Sequence, residues 1–260
     1  MADAPLNDLA NRVVIITGGT RGIGLGVAQH LGSLGTKVVI TGRKPERLAN
    51  AIATLEAENI DCLGLVADVA DRDRASEIVA ATIARFGRID GLVLNAQSFR
   101  PVTPLLDVTE SDMDLLFDTG PKGALWLMQA AHPHMAANNW GRVVTMGTSM
   151  GLTGAAGYGP YAASNEAIRS LTRTAAREWG RDGITVNCVL PASAGHRAPV
   201  AGSDPAREAA FAAMYDDNPV GRDGDALHDI GPAVAFLLSD GSRYVTGQTI
   251  SVDGGGIMRP

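Results

Sequence analysis

Hydrophobic residues along the chain fall into two alternating patterns. Short runs rich in β-branched residues predict strands that are buried on both faces. These runs are Arg12–Thr17, Lys37–Thr41, Asp61–Val66, Asp90–Leu94, Arg142–Met146, Ile184–Val189 and Gln248–Val252. The segments between them that show helical spacing are Ile23–Leu34, Pro45–Glu58, Asp71–Phe86, Thr109–Ala137, Tyr161–Trp179 and Asp225–Leu238. This alternation predicts right-handed crossovers and a parallel sheet covered by helices on both faces.

The alternating pattern continues through the chain without a linker, an internal repeat or a low-complexity segment. We therefore predict a single domain over residues 1–260. The least patterned segment is Ala192–Gly224, which is rich in Ala, Gly, Pro and Arg. Because long irregular segments of compact domains are often functional, we predict a variable substrate lid over residues 192–224.

Composition and charge narrow the class of protein. Of the 260 residues, 45% are hydrophobic and 19% are charged, which allows a large core and excludes wholesale disorder. The net charge of −6 argues against general binding to nucleic acid or to anionic membranes. We expect no signal peptide and no transmembrane span. Two cysteines cannot form a disulfide framework, so a cytoplasmic location is predicted.

Two histidines near the end of a predicted helix are candidate metal ligands. His132 and His134 form an H-x-H pair, but no carboxylate or cysteine stands at ligand spacing from them. We therefore predict that both are surface residues and that the protein binds no metal.

A glycine-rich turn follows the first predicted strand. It has the sequence Thr17-Gly18-Gly19-Thr20-Arg21-Gly22-Ile23-Gly24 and leads directly into a predicted helix. Glycines let backbone N–H groups approach a pyrophosphate, and the helix N-terminus adds about half a positive charge. The position inside a strand–turn–helix unit favours a dinucleotide cradle over a tight turn without a ligand.

The T-G-x-x-x-G-x-G spacing of this turn resembles the short-chain dehydrogenase/reductase family, and the resemblance covers nearly the whole chain. Further matches are Asp68-Val69, Leu94-Asn95-Ala96-Gln97, Tyr161, Asn187-Cys188-Val189-Leu190-Pro191, Gly247-Gln248 and Val252-Asp253-Gly254-Gly255. The resemblance implies an α/β, Rossmann-like, doubly wound fold with a seven-stranded parallel sheet, and a nicotinamide cofactor. The cofactor contacts that it implies are Gly18, Thr20, Arg21, Gly22, Ile23, Gly24, Arg43, Asp68, Val69, Asn95, Tyr161, Asn165 and Pro191. It also implies a homo-oligomer, a tetramer or dimer, formed through helices 109–137 and 161–179.

The end of the second predicted strand bears on the choice between NADH and NADPH. Enzymes that prefer NAD place an acidic residue there to bind the ribose hydroxyls. Here Gly42 occupies that place and Arg43 follows it. By analogy with the family, Arg21 lies close to the same end of the cofactor. Because two guanidinium groups suit a 2′-phosphate, we predict NADP(H), although two solvated arginines would give the same pattern.

The resemblance places a catalytic tyrosine at Tyr161, where it gives or takes the proton. The family's orienting serine stands 13 residues earlier, where this chain has Thr148. Threonine keeps the hydroxyl, and Ser149 offers a second one next to it. The family's lysine, four residues after the tyrosine, is replaced by Asn165. On a helix Asn165 points where the lysine would, and its amide is able to bind a ribose hydroxyl, but it has no charge to stabilise a phenolate.

Further departures from the family pattern lie around the same pocket. Gly120 stands in place of the asparagine that supports a proton-relay water, and Gly120-Pro121 should kink or break its helix. Lys122 is a weak candidate for a replacement base. Gln97 replaces a glycine and brings a long amide near the nicotinamide. His196 stands where a threonine often binds the cofactor, although a loop histidine is usually solvated.

An unperturbed phenol has a pKa of about 10, so only about one in a thousand is ionised at pH 7. Oxidation of an alcohol needs the phenolate, whereas reduction needs the phenol. We therefore predict an NADPH-dependent reductase of a small carbonyl, imine or activated alkene, with Tyr161 as proton donor. Two alternatives stay open. One is a cofactor-binding homologue without catalysis, acting as a sensor or partner subunit. The other is dehalogenase or lyase chemistry, which the intact glycine turn disfavours.

Overall fold

One parallel sheet organises the protein, whose computed structural model describes residues 6–100, 102–193 and 218–258. Its strands are β1 (Val13–Ile16), β2 (Lys37–Gly42), β3 (Cys62–Val66), β4 (Gly91–Leu94), β5 (Gly141–Met146), β6 (Ile184–Pro191) and β7 (Thr249–Val252). Within the described residues seven strands pair in the order β3-β2-β1-β4-β5-β6-β7, and every pair is parallel. The strand order reverses between β1 and β4, which creates a crevice at the carboxyl ends of the strands. The predicted doubly wound fold is confirmed.

Helices cover both faces of the sheet. They are α1 (Gly22–Ser33), α2 (Pro45–Ala57), α3 (Arg72–Phe86), α4 (Glu110–Phe117), α5 (Gly123–Ala137), α6 (Met150–Thr153), α7 (Gly159–Trp179) and α8 (Gly231–Leu238). Alternate residues of β1 point to opposite faces: Val14 and Ile16 pack with α1, α2 and α8, whereas Val13 and Ile15 pack with α3, α5 and α7. This period of two explains why the strand is continuously apolar.

Two predicted helices are interrupted. The segment predicted as one helix over Thr109–Ala137 is divided into α4, a wide π-helical turn at Asp118–Lys122, and α5. Pro121 lacks the N–H that the helix needs, so the break predicted at Gly120-Pro121 is present as this wide turn. The helix predicted over Asp225–Leu238 is present, but its first turn, Ala226–Ile230, is π-helical and leads directly into α8.

Most of the predicted lid, residues 194–217 with His196, lies outside the described residues. None of the helices in the described segments has the length and apolar character needed to cross a membrane.

A buried carboxylate fixes the edge of the sheet opposite the crevice. Asp90 is 1% exposed and accepts hydrogen bonds from the Val13 backbone N–H at 2.9 Å, from Arg12 at 3.2 Å and from Arg88 at 2.7 Å. Removal of a buried partner leaves the remaining groups desolvated and unpaired.

We expect Asp90→Ala to lower the free energy of unfolding by about 3 kcal/mol, because both arginines and a buried N–H lose their acceptor. Urea denaturation measures this change. The control is Asp61→Ala, which breaks an exposed ion pair with Arg85 at 2.8 Å. That variant should lose less than about 1 kcal/mol. Equal losses in the two variants would contradict the role assigned to Asp90.

Candidate active site

The residues predicted to contact a cofactor lie together along the carboxyl edge of the sheet. Because all the strands are parallel, segments that follow them meet at this edge. They are Gly18, Thr20, Arg21, Gly22, Ile23 and Gly24 after β1, Arg43 after β2, Asp68 and Val69 after β3, Asn95 after β4, and Pro191 at the end of β6. Tyr161 and Asn165 lie on α7, which follows β5.

The glycine turn brings the backbone close to itself. Gly18 and Gly22 have φ values of +67° and +53°. A Cβ atom on Gly24 would lie 2.4 Å from the Gly18 carbonyl oxygen and 2.7 Å from Asn95 Nδ2. Arg21 precedes α1 in an extended conformation, without a side-chain cap for the first turn. The first N–H groups of α1 therefore suit the phosphates of a dinucleotide, which supports the fit of such a group.

Asn95 ties the glycine turn to the end of β4. Its Nδ2 donates to the carbonyl oxygen of Thr17 at 3.0 Å and to that of Gly18 at 3.3 Å. In return, Thr17 Oγ1 accepts from the backbone N–H groups of Asn95 and Ala96, each at 3.0 Å. The two sides of the crevice are thus held in one rigid arrangement.

An open cleft lies beyond the glycine turn, at the ends of β2 and β3. Its lining includes Arg43 and Asp68, whose closest charged atoms are 3.8 Å apart, and its volume is about 380 Å³. Gly42 lies behind Thr20, and a Cβ atom on Gly42 would stand 2.4 Å from Thr20 Cγ2. An acidic side chain at position 42 would therefore require Thr20 to move.

Tyr161 lies in the first turn of α7, beside residues that follow β4. The ring of Phe99 meets that of Tyr161 edge-on, with ring centroids 5.3 Å apart, and lies 6.2 Å from the ring of Tyr158. Phe99 is half exposed, and sequence reasoning missed it. Thr148 follows β5 and is buried, and its Oγ1 accepts from the Met150 N–H at 3.4 Å. Ser149 is half-buried beside it.

Asn165 belongs to a buried group of side chains on α7. It is 1% exposed, and its Nδ2 donates to the carbonyl oxygen of Tyr161 at 2.8 Å and to Gln97 Oε1 at 3.0 Å. Gln97 Nε2 donates to Ser164 Oγ at 2.7 Å, and Ser164 donates to the Tyr161 carbonyl oxygen at 3.0 Å. Among the described residues, no group donates to the buried Asn165 Oδ1.

Gly120 leaves the room that Gln97 fills. A Cβ atom on Gly120 would lie 2.8 Å from Gln97 Nε2. Nearby Lys122 is exposed and paired with Asp118 at 2.6 Å, and this hydrogen bond raises the pKa of Lys122. Lys122 therefore stays protonated at neutral pH and cannot replace the missing base.

Neither of the two histidines is the fully exposed surface residue that was predicted, because both are half-buried. His132 is half-buried, with its ring centroid 4.7 Å from that of Trp179 and its Nε2 3.0 Å from Asp182 Oδ2. The prediction was wrong because Asp182 stands 50 residues away in sequence. In the described segments, no three His, Cys, Asp or Glu side chains form a group suited to a metal ion.

The fold and the glycine turn are typical of a protein that binds a dinucleotide. A family model described as enoyl-(acyl carrier protein) reductase matches residues 18–256. The chain belongs to the short-chain dehydrogenase/reductase family, whose members use nicotinamide cofactors.

Curated relatives and solved structures agree with this assignment. A 12α-hydroxysteroid dehydrogenase from Clostridium sp. is 36% identical, over 96% of this chain and 98% of the relative. A 3-oxoacyl-(acyl-carrier-protein) reductase from Staphylococcus aureus is 34% identical, over 94% and 97%. The structure of levodione reductase aligns with a TM-score of 0.88 and 32% identity, over 95% of this chain and 98% of that one. NAD⁺-bound xylitol dehydrogenase gives a TM-score of 0.86 and 28% identity, over 95% and 99%.

Proposed function

We propose that this protein is an NADPH-dependent reductase of a small carbonyl, imine or activated alkene. The observation that carries the proposal is the placement of Tyr161 at the same edge of the sheet as the uncapped N-terminus of α1. When bound, the cofactor supplies a hydride. Tyr161 donates the proton, and the buried Thr148 hydroxyl orients the reacting group. The reductases and dehydrogenases among its relatives support this chemistry.

The surroundings of Tyr161 favour the protonated phenol. Asn165 stands one helical turn after Tyr161 and is neutral, so no ammonium group at that position stabilises a phenolate. The protonated phenol is the form that donates a proton in reduction. The replacement of one side chain thus moves the oxidation reaction to alkaline pH, where the phenolate forms.

We expect the reverse reaction, oxidation of the product alcohol, to be slow at neutral pH. Its rate should rise about tenfold per pH unit over the range in which the phenol is mostly protonated. The forward reaction should change little over the same range, because the proton donor is present throughout. The ratio kcat/KM measured in both directions across pH tests this difference. Fast oxidation at pH 7 that still requires Tyr161 would contradict the proposal.

The choice of NADPH rests on Arg43 and Arg21. Both side chains are exposed at the carboxyl edge, and Gly42 offers no carboxylate to ribose hydroxyls. Fluorescence titration should show tighter binding of NADPH than of NADH. Arg43→Ala and Arg21→Ala should each weaken NADPH binding by about 3- to 10-fold and leave NADH binding unchanged.

Arg181→Ala provides the control for these variants. Arg181 lies in the turn before β6, at the opposite edge of the sheet, so its loss should affect neither cofactor. Failure of the wild-type protein to bind either cofactor would overturn the proposed function. Equal affinities for NADPH and NADH would overturn only the proposed preference for NADPH.

A cofactor-binding homologue without turnover is the second candidate, acting as a sensor or a partner subunit. The side chains around Asn165 favour it, because the neutral amide of Asn165 stands at the lysine's position and Gln97 lies against Gly120, where the family has the relay asparagine. Binding of NADPH without turnover of any carbonyl, imine or activated alkene would support this candidate.

We also propose that the protein is an oligomer and that it is located in the cytoplasm. We expect the protein to assemble as a tetramer or dimer through α4, α5 and α7, which include the helices predicted for this role. Light scattering from the purified protein distinguishes a monomer from these assemblies.

A further inference from the structure

Two sides of Tyr161 leave little room for a substrate. On one side, Ser164 Oγ and Asn165 Nδ2 donate to the Tyr161 carbonyl oxygen, and both side chains are buried. On another side, Tyr161 lines a small cavity together with Arg100 and Asp112, which form an ion pair at 3.2 Å. The volume of this cavity is about 10 Å³, which is close to the minimum that one water molecule needs. Neither side accommodates the body of an organic substrate.

A third neighbour of Tyr161 presents apolar surface to the outside. The ring of Phe99 meets that of Tyr161 edge-on, with ring centroids 5.3 Å apart, and about half of Phe99 is exposed. Leu105 continues this surface along the start of α7: it is 76% exposed, and its Cδ1 would lie 3.1 Å from a Cβ atom on Gly159. Scattered apolar side chains on a surface are ordinary, but adjoining ones beside a catalytic group are typical of a ligand site.

The chemistry proposed for Tyr161 brings the substrate next to Phe99. A reacting carbonyl oxygen must lie about 2.7 Å from the Tyr161 hydroxyl to receive its proton. The groups attached to the reacting carbon then lie beside the Tyr161 ring, which Phe99 adjoins. Aromatic rings pack favourably at centroid separations of about 4.5–7 Å in edge-on or offset arrangements. Phe99 and Tyr161 already adopt such an arrangement, so a ring of the substrate would extend the same cluster.

We propose that Phe99 is a specificity-determining residue that packs against an aromatic ring carried next to the reacting group of the substrate. This inference rests on the proposed function and names its substrate class, a carbonyl, imine or activated alkene with an uncharged aryl group. Phe99 brings no charge to this surface, and the charges of Arg100 and Asp112 offset each other. Phe99 contacts the ring of the substrate and takes no part in proton transfer.

The test compares kcat/KM for the reduction of phenylacetone, cyclohexylacetone and 2-butanone. The two ring ketones carry rings of similar size one methylene from the carbonyl, so they differ mainly in aromatic character. The wild type should prefer phenylacetone over butanone by about 10-fold or more, because the ring is buried against Phe99. It should prefer phenylacetone over cyclohexylacetone by about 3- to 10-fold, the additional contribution of an aromatic pair.

Two substitutions of Phe99 separate apolar area from aromatic character. Phe99→Ala should reduce the preference for phenylacetone over butanone by about 10-fold. Phe99→Leu keeps an apolar side chain, so both ring ketones should still be preferred over butanone, whereas the preference for phenylacetone over cyclohexylacetone should disappear. Each result is a ratio measured within one variant, so a smaller fraction of folded protein does not change it.

Phe236→Ala is the matched control. Phe236 is 42% exposed, which is close to the exposure of Phe99, and lies in the last turn of α8. The Ser239 carbonyl oxygen at the end of α8 accepts from Arg142 Nε at 3.3 Å, at the start of β5 and opposite the crevice. The loss of Phe236 should therefore leave both ratios within about twofold of wild type.

Equal kcat/KM values for phenylacetone and butanone in the wild type would overturn the inference while the proposed function stands. An unchanged ratio in Phe99→Ala would do the same. Failure of the wild type to reduce any carbonyl, imine or activated alkene would overturn the proposed function. Saturation-transfer NMR with NADPH present then decides the inference: phenylacetone binding that weakens about 10-fold in Phe99→Ala supports it, and absent or unchanged binding overturns it.

Discussion

Tyr161→Phe should lower the rate of reduction by about 10²- to 10⁴-fold, the usual range for a lost general acid. Phenylalanine keeps the ring that meets Phe99 edge-on at 5.3 Å, so the surrounding packing should persist. What is lost is the proton that must reach the substrate as the hydride arrives. Single-turnover measurements at saturating NADPH separate this loss from any change in cofactor binding, which should stay within about twofold.

Tyr158→Phe is the control for the catalytic tyrosine. Tyr158 also packs against Phe99, with ring centroids 6.2 Å apart, but it lies before the first turn of α7. Its hydroxyl has no catalytic role in the proposed mechanism, so turnover should remain within about threefold of wild type. Equal losses in the two variants would show that Tyr161 contributes through packing, and the assignment of the proton donor would be wrong.

Gly24→Ala should weaken NADPH binding by about 100-fold or more, since a 1 Å misplacement in a preorganised site has effects of that size. The new methyl group would lie 2.4 Å from the Gly18 carbonyl oxygen and 2.7 Å from Asn95 Nδ2. The first contact is with backbone, so the glycine turn itself must shift. The N–H groups of α1 would then no longer face the phosphates together. Fluorescence titration with NADPH measures the change.

Gly180→Ala controls for the general effect of a glycine replacement. Apart from its chain neighbours, no atom of the described residues lies within 4 Å of a Cβ built on Gly180, and its φ of −58° suits alanine. This variant should bind NADPH as the wild type does. Circular dichroism should show that both variants are folded. If folded Gly24→Ala keeps wild-type affinity, the glycine turn is not the phosphate cradle.

The sequence predicts the sheet well because parallel strands are buried on both faces and so form unbroken apolar runs. The first strand, predicted at Arg12–Thr17, is observed at Val13–Ile16. The glycine turn was equally visible, because its residues are adjacent in sequence. The interruption at Gly120-Pro121 was predicted from the chemistry of proline, although the wide π-helical form of the turn was not.

The side-chain group at the active site could not be predicted. Gln97 and Asn165 stand 68 residues apart, and neither helical nor strand spacing relates them. Gln97 was expected near the nicotinamide, and the structure shows that its amide bonds to Ser164 and Asn165 on α7. A signal was present in the sequence: a glycine at position 120 and a long amide at position 97 both depart from the family pattern. Only the structure shows that the Gln97 side chain fills the space that Gly120 leaves open.

The central claim is that this protein reduces a substrate with NADPH although it lacks the catalytic lysine. The most direct measurement uses NADPH that carries deuterium on the carbon that transfers hydride. The protein is incubated with a panel of carbonyls, imines and activated alkenes, and mass spectrometry follows the products. We expect one deuterium in a reduced product for each NADPH consumed, and almost none with Tyr161→Phe. Tight binding of NADPH without transfer of deuterium to any member of the panel would contradict the claim and favour a cofactor-binding protein without turnover.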